Sequence, residues 1–275
     1  MVEDDDREWL RRRFPGLSAE SERVWGALRV EATYNAKTGR FLALAADAEN
    51  TVGGVALSGN FTIKMRQRDD RTLSRLPALW VQGVEPIPER HFSQTDRTAC
   101  LCSPFEEDEF LIPAFQFRKY FEELVIPFLY GQLFYSKHGY WPWSEYAHGA
   151  TGLLQSYARV DDPSKAKDCI EKLSRDAGWP NIRAVLAQGT RINGHVRCFC
   201  SKKDFMKRCH PAALKGLRML RNDASKQGLY LPSDLASRRE LTLPLFPNDG
   251  LHDLSQTAGW KASTRDPSCA RPKKV

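Results

Sequence analysis

Residues 76–108, LPALWVQGVEPIPERHFSQTDRTACLCSPFEED, hold the change of pattern on which the fold turns. The run PALWVQG (77–83) is short, apolar and closed by a glycine, and it predicts a strand. Beyond it the periodicity stops. Pro86, Pro88, Pro104 and Pro113 punctuate residues 84–113, so the stretch predicts a long irregular loop. Long loops in compact domains usually either carry function or are disordered. This one contains His91, Cys100 and Cys102.

Upstream, the pattern is that of a sheet. DDDREWLRRR (4–13) predicts a helix, acidic at its start and basic at its end in accord with the helix dipole, and Pro15-Gly16 closes it. In VWGALRVEATY (24–34), Val24, Leu28, Val30, Ala32 and Tyr34 share one face of a strand. NAKTG (35–39) is a turn, and FLALAAD (41–47) predicts the next strand. VALSGNFTIKM (55–65) alternates again, with Val55, Leu57, Phe61, Ile63 and Met65 on one face. A helix followed by four such strands predicts an α+β fold built on a four-stranded antiparallel meander flanked by helices.

Downstream, helical spacing takes over. Phe117, Phe121, Leu124, Val125, Phe128 and Leu129 form an apolar stripe within 114–137, which Pro127 is expected to kink or break. The aromatic stretch GYWPWSEYAHGATGLLQSY (139–157) leads into another helix. Asp162-Pro163 opens a helix in 161–179 as cap and first helical residue, and 211–227 predicts one more. Past residue 228 the chain turns rich in Pro, Ser and Arg, and its last dozen residues are expected to fray.

The 275 residues suffice for one large domain or two ordinary ones. With 41% hydrophobic and 27% charged residues the chain is neither a disordered nor a fibrous protein. No apolar run approaches the roughly 20 residues that span a bilayer, and the acidic start MVEDDDREW lacks a signal-peptide pattern, so a cytoplasmic protein without membrane partners is expected. The net charge of +7 is uneven: residues 1–157 carry 18 Lys and Arg against 22 Asp and Glu, and residues 158–275 carry 23 against 12. This predicts two modules, 1–157 and 158–275, with a basic, mainly helical second one. Seven cysteines in such a chain favour metal binding or catalysis over a disulfide framework.

One cluster has metal-ligand chemistry. Cys198 and Cys200 are followed by Cys209-His210, and three thiols with an imidazole suit a tetrahedral structural zinc. Lys202, Lys203, Lys207 and Arg208 around them favour the thiolates that zinc needs. CFCSKKDFMKRCH (198–210) resembles the SEC-C zinc motif in its spacing and in the basic pair before the third Cys, though Ser201-Lys202-Lys203 stands where that motif has Gly-Ser-Gly. The resemblance implies zinc on Cys198, Cys200, Cys209 and His210 and a docking or adaptor role. His195 falls outside the pattern.

The order of elements in 1–157, with its strand, proline-rich stretch, His91 and then Cys100-Leu101 nine residues on, resembles the ubiquitin-conjugating (UBC) fold. Ala99-Cys100-Leu101-Cys102-Ser103-Pro104-Phe105-Glu106, and Trp141-Pro142-Trp143 through His148-Gly149, are similar to a bacterial branch of that family. The resemblance implies a transferase in a ubiquitin-like conjugation pathway. Cys100 would accept an acyl group as a thioester and pass it to an amine. The chain has no Gly-x-Gly-x-x-Gly fingerprint for adenylation, so a separate activating enzyme is implied. The transferred partner would be a ubiquitin-like protein or, in anti-phage defence, a cGAS-like nucleotidyltransferase. An exposed thiolate and donors for the developing oxyanion are what such chemistry requires. The family's Asn after the His is absent; His91-Phe92-Ser93 leaves Ser93, Gln94 or backbone amides for that role.

Alternatives stay open. Cys102 rivals Cys100 as nucleophile, His91 can pin the loop or act as a base, and His148 can approach the loop as well. The basic half also fits a non-catalytic, zinc-containing adaptor for nucleic acid or the ribosome. A cysteine hydrolase using Cys100 is a third reading, without a recognisable nucleophile motif.

Overall fold

The acidic-to-basic run at the N-terminus forms helix α1 (Asp4–Arg13), with Glu3 and Asp6 in a reciprocal capping box. In a computed structural model of the chain, the described residues are 1–43, 53–68, 74–93, 95–176, 178–187, 192–200, 202 and 204–231. Residues 44–47 of the expected second strand, Gln94, Ser201, Lys203 and everything past 231 lie outside them.

Five strands follow α1: β1 (Leu17–Ala19), β2 (Arg23–Asn35), β3 (Arg40–Ala43), β4 (Val55–Arg66) and β5 (Ala78–Gln82). All pairings are antiparallel, but they do not make the expected sequential meander of four strands. β2 pairs along nearly its whole length with β4, and β5 flanks β4. β1 and β3 both lie on the other edge of β2, one at each end: Leu17 sits opposite Gly26, and Ala43 opposite Ala32. The turn at 35–39 folds β3 back onto one edge of β2, so β4 takes the other edge. The alternation within each strand was readable from side chains. Which edge a returning strand takes is decided by backbone pairing, which leaves no periodic mark.

One face of this sheet is buried. Val24, Leu28, Val30 and Ala32 of β2 and Phe61, Ile63 and Met65 of β4 point into a first core with Leu10 of α1. A long helical segment covers the same core. It begins as α3 (Phe117–Tyr120), widens through a π-helical turn (Phe121–Val125), and continues as α4 (Ile126–His138). The wide turn immediately precedes Pro127. A proline ring crowds the carbonyl four residues back, and a widened turn relieves that crowding, so the helix carries on rather than breaking. Gly59 of β4 faces Leu133 of α4, where any side chain would collide.

Among the described residues between β5 and α3, the helical elements are the four-residue α2 (Asp108–Leu111) and a short 3₁₀ turn at Pro88–Arg90. A second core follows. It gathers α5 (Gly149–Val160), α6 (Ala166–Leu173), α7 (Trp179–Ala187), α8 (Met206–Cys209) and α9 (Pro211–Lys226), with Trp179, Leu154, Leu173 and Leu217 fully buried. Its first helix, α5, starts ahead of the change in charge balance at residue 158, and Phe105 also joins this core. α5 and α9 cross in close contact at Gly216, which lies against the Leu154 carbonyl. Tyr157 of α5 donates to Asp223 Oδ2 of α9 at 2.7 Å. No helix among the described residues is long and apolar enough to cross a membrane.

Candidate functional site

Cys100 owes its position to a small hairpin. The 3₁₀ turn ends at His91, whose backbone is left-handed (φ 56°) and whose N–H donates to the Pro88 carbonyl. That sharp turn reverses the chain. Phe92 then bridges Ala99, the Ser93 N–H donates to the Thr98 carbonyl, and the Cys100 N–H donates to the His91 carbonyl, both at 2.8 Å. The Ala99 N–H reaches the Leu79 carbonyl of β5 at 2.8 Å, which fastens the hairpin to the sheet. Phe92 and Ala99 are buried in the first core, and Cys100, one residue on, is exposed. Side chains along an extended segment alternate, and this is the physical cause of the exposure.

The turn of the hairpin is a polar network that no sequence spacing announced. Asp96 Oδ1 accepts from the Thr98 N–H and hydroxyl, and Asp96 Oδ2 from Arg68 at 3.1 Å. Arg68 also donates to Thr98 Oγ1 at 2.9 Å, and Trp80 Nε1 to the Asp96 carbonyl at 3.1 Å. Burial works against charge on Asp96, but the hydrogen bonds from Ser93, Thr98 and Arg68 outweigh it and hold the carboxyl below its ordinary range.

The two neighbouring thiols differ. Surrounding protein atoms push the Cys100 thiol up and Asp96 adds to this, while Arg68 opposes them. Cys102 is half-buried against the first core, and burial together with Glu107, Glu106 and Glu109 pushes its thiol far above the ordinary range. A thiol needs its thiolate to attack, so the exposed Cys100 is the better nucleophile of the two.

His91 turns its ring toward the segment after α4. Its Nε2 lies 3.2 Å from Glu145 Oε1, its ring meets Trp141 edge-on at 4.7 Å, and the His148 ring is 5.4 Å away. Trp141 in turn donates to the Glu89 carbonyl, and Gln132 of α4 to the Arg90 carbonyl. The structure therefore gathers His91, His148 and Glu145. The contact of His91 with Cys100 runs through its backbone carbonyl. His138 stacks elsewhere, against Phe134 and Tyr140.

The second constellation lies at the end of the helical core. Val196–Cys198 and Asp204–Met206 close a knuckle: the Cys198 N–H donates to the Asp204 carbonyl at 2.7 Å, the Met206 N–H to the Val196 carbonyl at 2.8 Å, and Arg197 bridges Phe205. α8 then carries Cys209 back toward Cys198, and His210 occupies the junction before Pro211 starts α9. The ligand atoms of Cys198, Cys200, Cys209 and His210 all lie within 4.8 Å of one another. Cys198 Sγ is 3.1 Å from His210 Nδ1, and Cys200 Sγ is 3.4 Å from Cys209 Sγ. Tetrahedral zinc at ordinary bond lengths spaces such atoms by roughly 3.5–3.8 Å, so these four can hold a metal ion with little adjustment.

The charge state of the cluster agrees. Burial, and to a lesser degree Lys202, pulls the His210 imidazole below its ordinary range, which keeps it neutral and able to ligate. Burial pushes the Cys198 and Cys209 thiols up, and the neighbouring Cys200 sulfur adds to this by opposing a second negative charge. A divalent cation would reverse that balance. His195 stays outside the cluster, against Lys207 and Phe205. No family model, curated protein or solved structure matches the chain.

Proposed function

We propose that the protein is a ubiquitin-conjugating-like thioester acyltransferase with Cys100 as its acyl carrier and a structural zinc on Cys198, Cys200, Cys209 and His210. The observation that carries this reading is the exposure of Cys100 on the outward side of a hairpin pinned to the sheet. A partner's thioester can reach a thiol so placed. In the transfer, the Cys100 sulfur attacks the thioester carbonyl, the partner's carbon–sulfur bond breaks, and the Cys100 proton ends on the departing thiol. An amine then attacks the new thioester, and Cys100 recovers a proton as it leaves. His91, held by Glu145 and Trp141, shapes the hairpin entrance beside Cys100. The acyl donor would be a ubiquitin-like protein or a cGAS-like nucleotidyltransferase, supplied by a separate activating enzyme in a bacterial defence setting.

The test traps the intermediate. Protein, activating enzyme, ATP and modifier should yield an adduct that thiols cleave, which Cys100→Ala abolishes and Cys102→Ala retains. An adduct that persists in Cys100→Ala refutes the assignment.

A second reading has its own support. Arg197 and Arg208 lie over the Phe205 ring at 4.7 and 5.4 Å, beside the metal-ligand cluster and Lys207. This basic, aromatic surface suits a nucleic-acid adaptor. That reading expects binding to single-stranded RNA or DNA that weakens steeply with salt; no binding at low salt removes it.

A further inference from the structure

The segment that leaves the hairpin does not stay with the first core. Leu101 and Cys102 pack against that core, yet Phe105 is buried in the second, its ring centroid 6.1 Å from that of Tyr157 in α5. The contacts on either side of Phe105 make the same crossing. Ser103 Oγ and Ser156 Oγ of α5 share a buried hydrogen bond. Tyr146 OH donates to Glu106 Oε1 at 2.6 Å, and burial together with that bond pushes the phenol up to about 12. Lys165, just ahead of α6, pairs with Asp108.

The segment is also braced internally. Glu106 Oε2 accepts from the Ser103 N–H at 3.1 Å. Glu107, almost completely buried, accepts from the Arg75 N–H at 2.9 Å, and Arg75 also pairs with Asp108. Among the described residues, Cys100 is the last hairpin position bonded across to 91–93. An irregular segment keeps many conformations unless side chains restrain it. Here the restraints come from Arg75, from α5, from the turn ahead of α6 and from the stretch between α4 and α5.

We infer that the second core, through Ser156, Tyr157, Tyr146 and Lys165, is the seat that holds residues 103–108 and so fixes where Cys100 is presented. These are positioning residues: they act on Cys100 through Ser103, Phe105, Glu106 and Asp108. The functional meaning of the seat rests on the thioester reading, but the seat itself is measurable without an activating enzyme.

The experiment uses the full chain and four variants: Phe105→Ala, Phe105→Leu, Lys165→Ala and Lys165→Arg. Hydrogen exchange of peptides covering 100–108 and iodoacetamide labelling of Cys102 are read by mass spectrometry, with buried Cys169 as the sensor of second-core integrity. Phe105→Ala should speed both readouts by about tenfold or more, with Phe105→Leu close to the parent. Lys165→Ala should speed them by a smaller factor, and Lys165→Arg should restore them.

Unchanged exchange and labelling in Phe105→Ala, with Cys169 still protected, overturns the inference. If Phe105→Ala exposes Cys169, the decision passes to the Lys165 pair, and an unchanged Lys165→Ala overturns it. The two proposals separate cleanly. A parent protein that never forms a thioester, while the variants loosen as described, defeats the thioester reading and leaves the seat. A parent that charges, with Phe105→Ala charging equally fast and no loosening, defeats the seat alone.

Discussion

Arg68 is half-buried against the hairpin turn, and its Nε finds no hydrogen-bond partner among the described residues. Its other donors serve Asp96 and Thr98, and its charge lowers the Cys100 thiol against the effects of surrounding protein atoms and Asp96. Because the folded Cys100 thiol lies above its ordinary value, thiolate is scarce at neutral pH and grows as pH rises. Alkylation at Cys100 should therefore still be accelerating above about pH 9.5, where an unperturbed thiol of pKa about 8.5 has nearly levelled off. Arg68→Gln should shift that profile further upward and slow the reaction at pH 7.5, as peptide-resolved labelling would show. Gly131 offers a stability test at the same scale. A Cβ there would run into the Trp141 ring, which backs His91. Gly131→Ala should cost about 1–3 kcal/mol in urea unfolding and alter tryptophan fluorescence. Cys100 and His91 stood out in the sequence by residue type and spacing, and so did Cys198, Cys200, Cys209 and His210, which the fold brings together. Arg68, Asp96 and Glu145 did not: each is distant in sequence from the group it serves, or acts through a turn without a periodic signature.

Elements differ in the same way. β2 and β4 announced themselves by alternation, and α4 by its aromatic stripe, because one buried face imposes a period. β1 has only three residues, too few to show a period, and the nine residues of α7 do not stand out in the sequence as a helix of their own. α5 was assigned with the aromatic stretch before it, yet its packing partner is α9, some sixty residues on, through a contact at Gly216 that only folding reveals. Any side chain at Gly216 would strike the Leu154 carbonyl, and backbone cannot step aside as a side chain can. Gly216→Ala should destabilise the second core by about 3 kcal/mol or more, read as a lowered midpoint of Cys169 protection in urea. The metal cluster sits at the head of α9, so its occupancy should matter to the same element. Zinc takes thiolates, and the Cys198 and Cys209 thiols start protonated. Binding at pH 7 should then release at least two protons, one each from Cys198 and Cys209, and affinity should fall as pH falls; calorimetry in buffers of different ionisation enthalpy measures both.

For the whole molecule, the buried thiols set a pH response whose steepness depends on metal. Cys102, Cys169, Cys198 and Cys209 all lie above their ordinary values in the fold. In metal-free protein the unfolded chain loses these protons first, so it binds fewer protons than the native state and stability falls as pH rises through and beyond about 8.5. Zinc would remove two of those protons, from Cys198 and Cys209, in the native state, and the urea midpoint of the zinc-loaded protein should fall less steeply over the same range. The net charge of +7 predicted none of this. It averages an acidic sheet half and a basic helical half that share the 103–108 segment. The hairpin bond from the Ala99 N–H to the Leu79 carbonyl has a last implication. β5 is the outer strand of the sheet, and an open strand border invites pairing between copies. The cysteine hairpin shields that border, so a binding event that pulled the hairpin away would also uncover a surface on which molecules self-associate. Keeping the hairpin seated therefore covers the sheet edge and presents Cys100 at the same time.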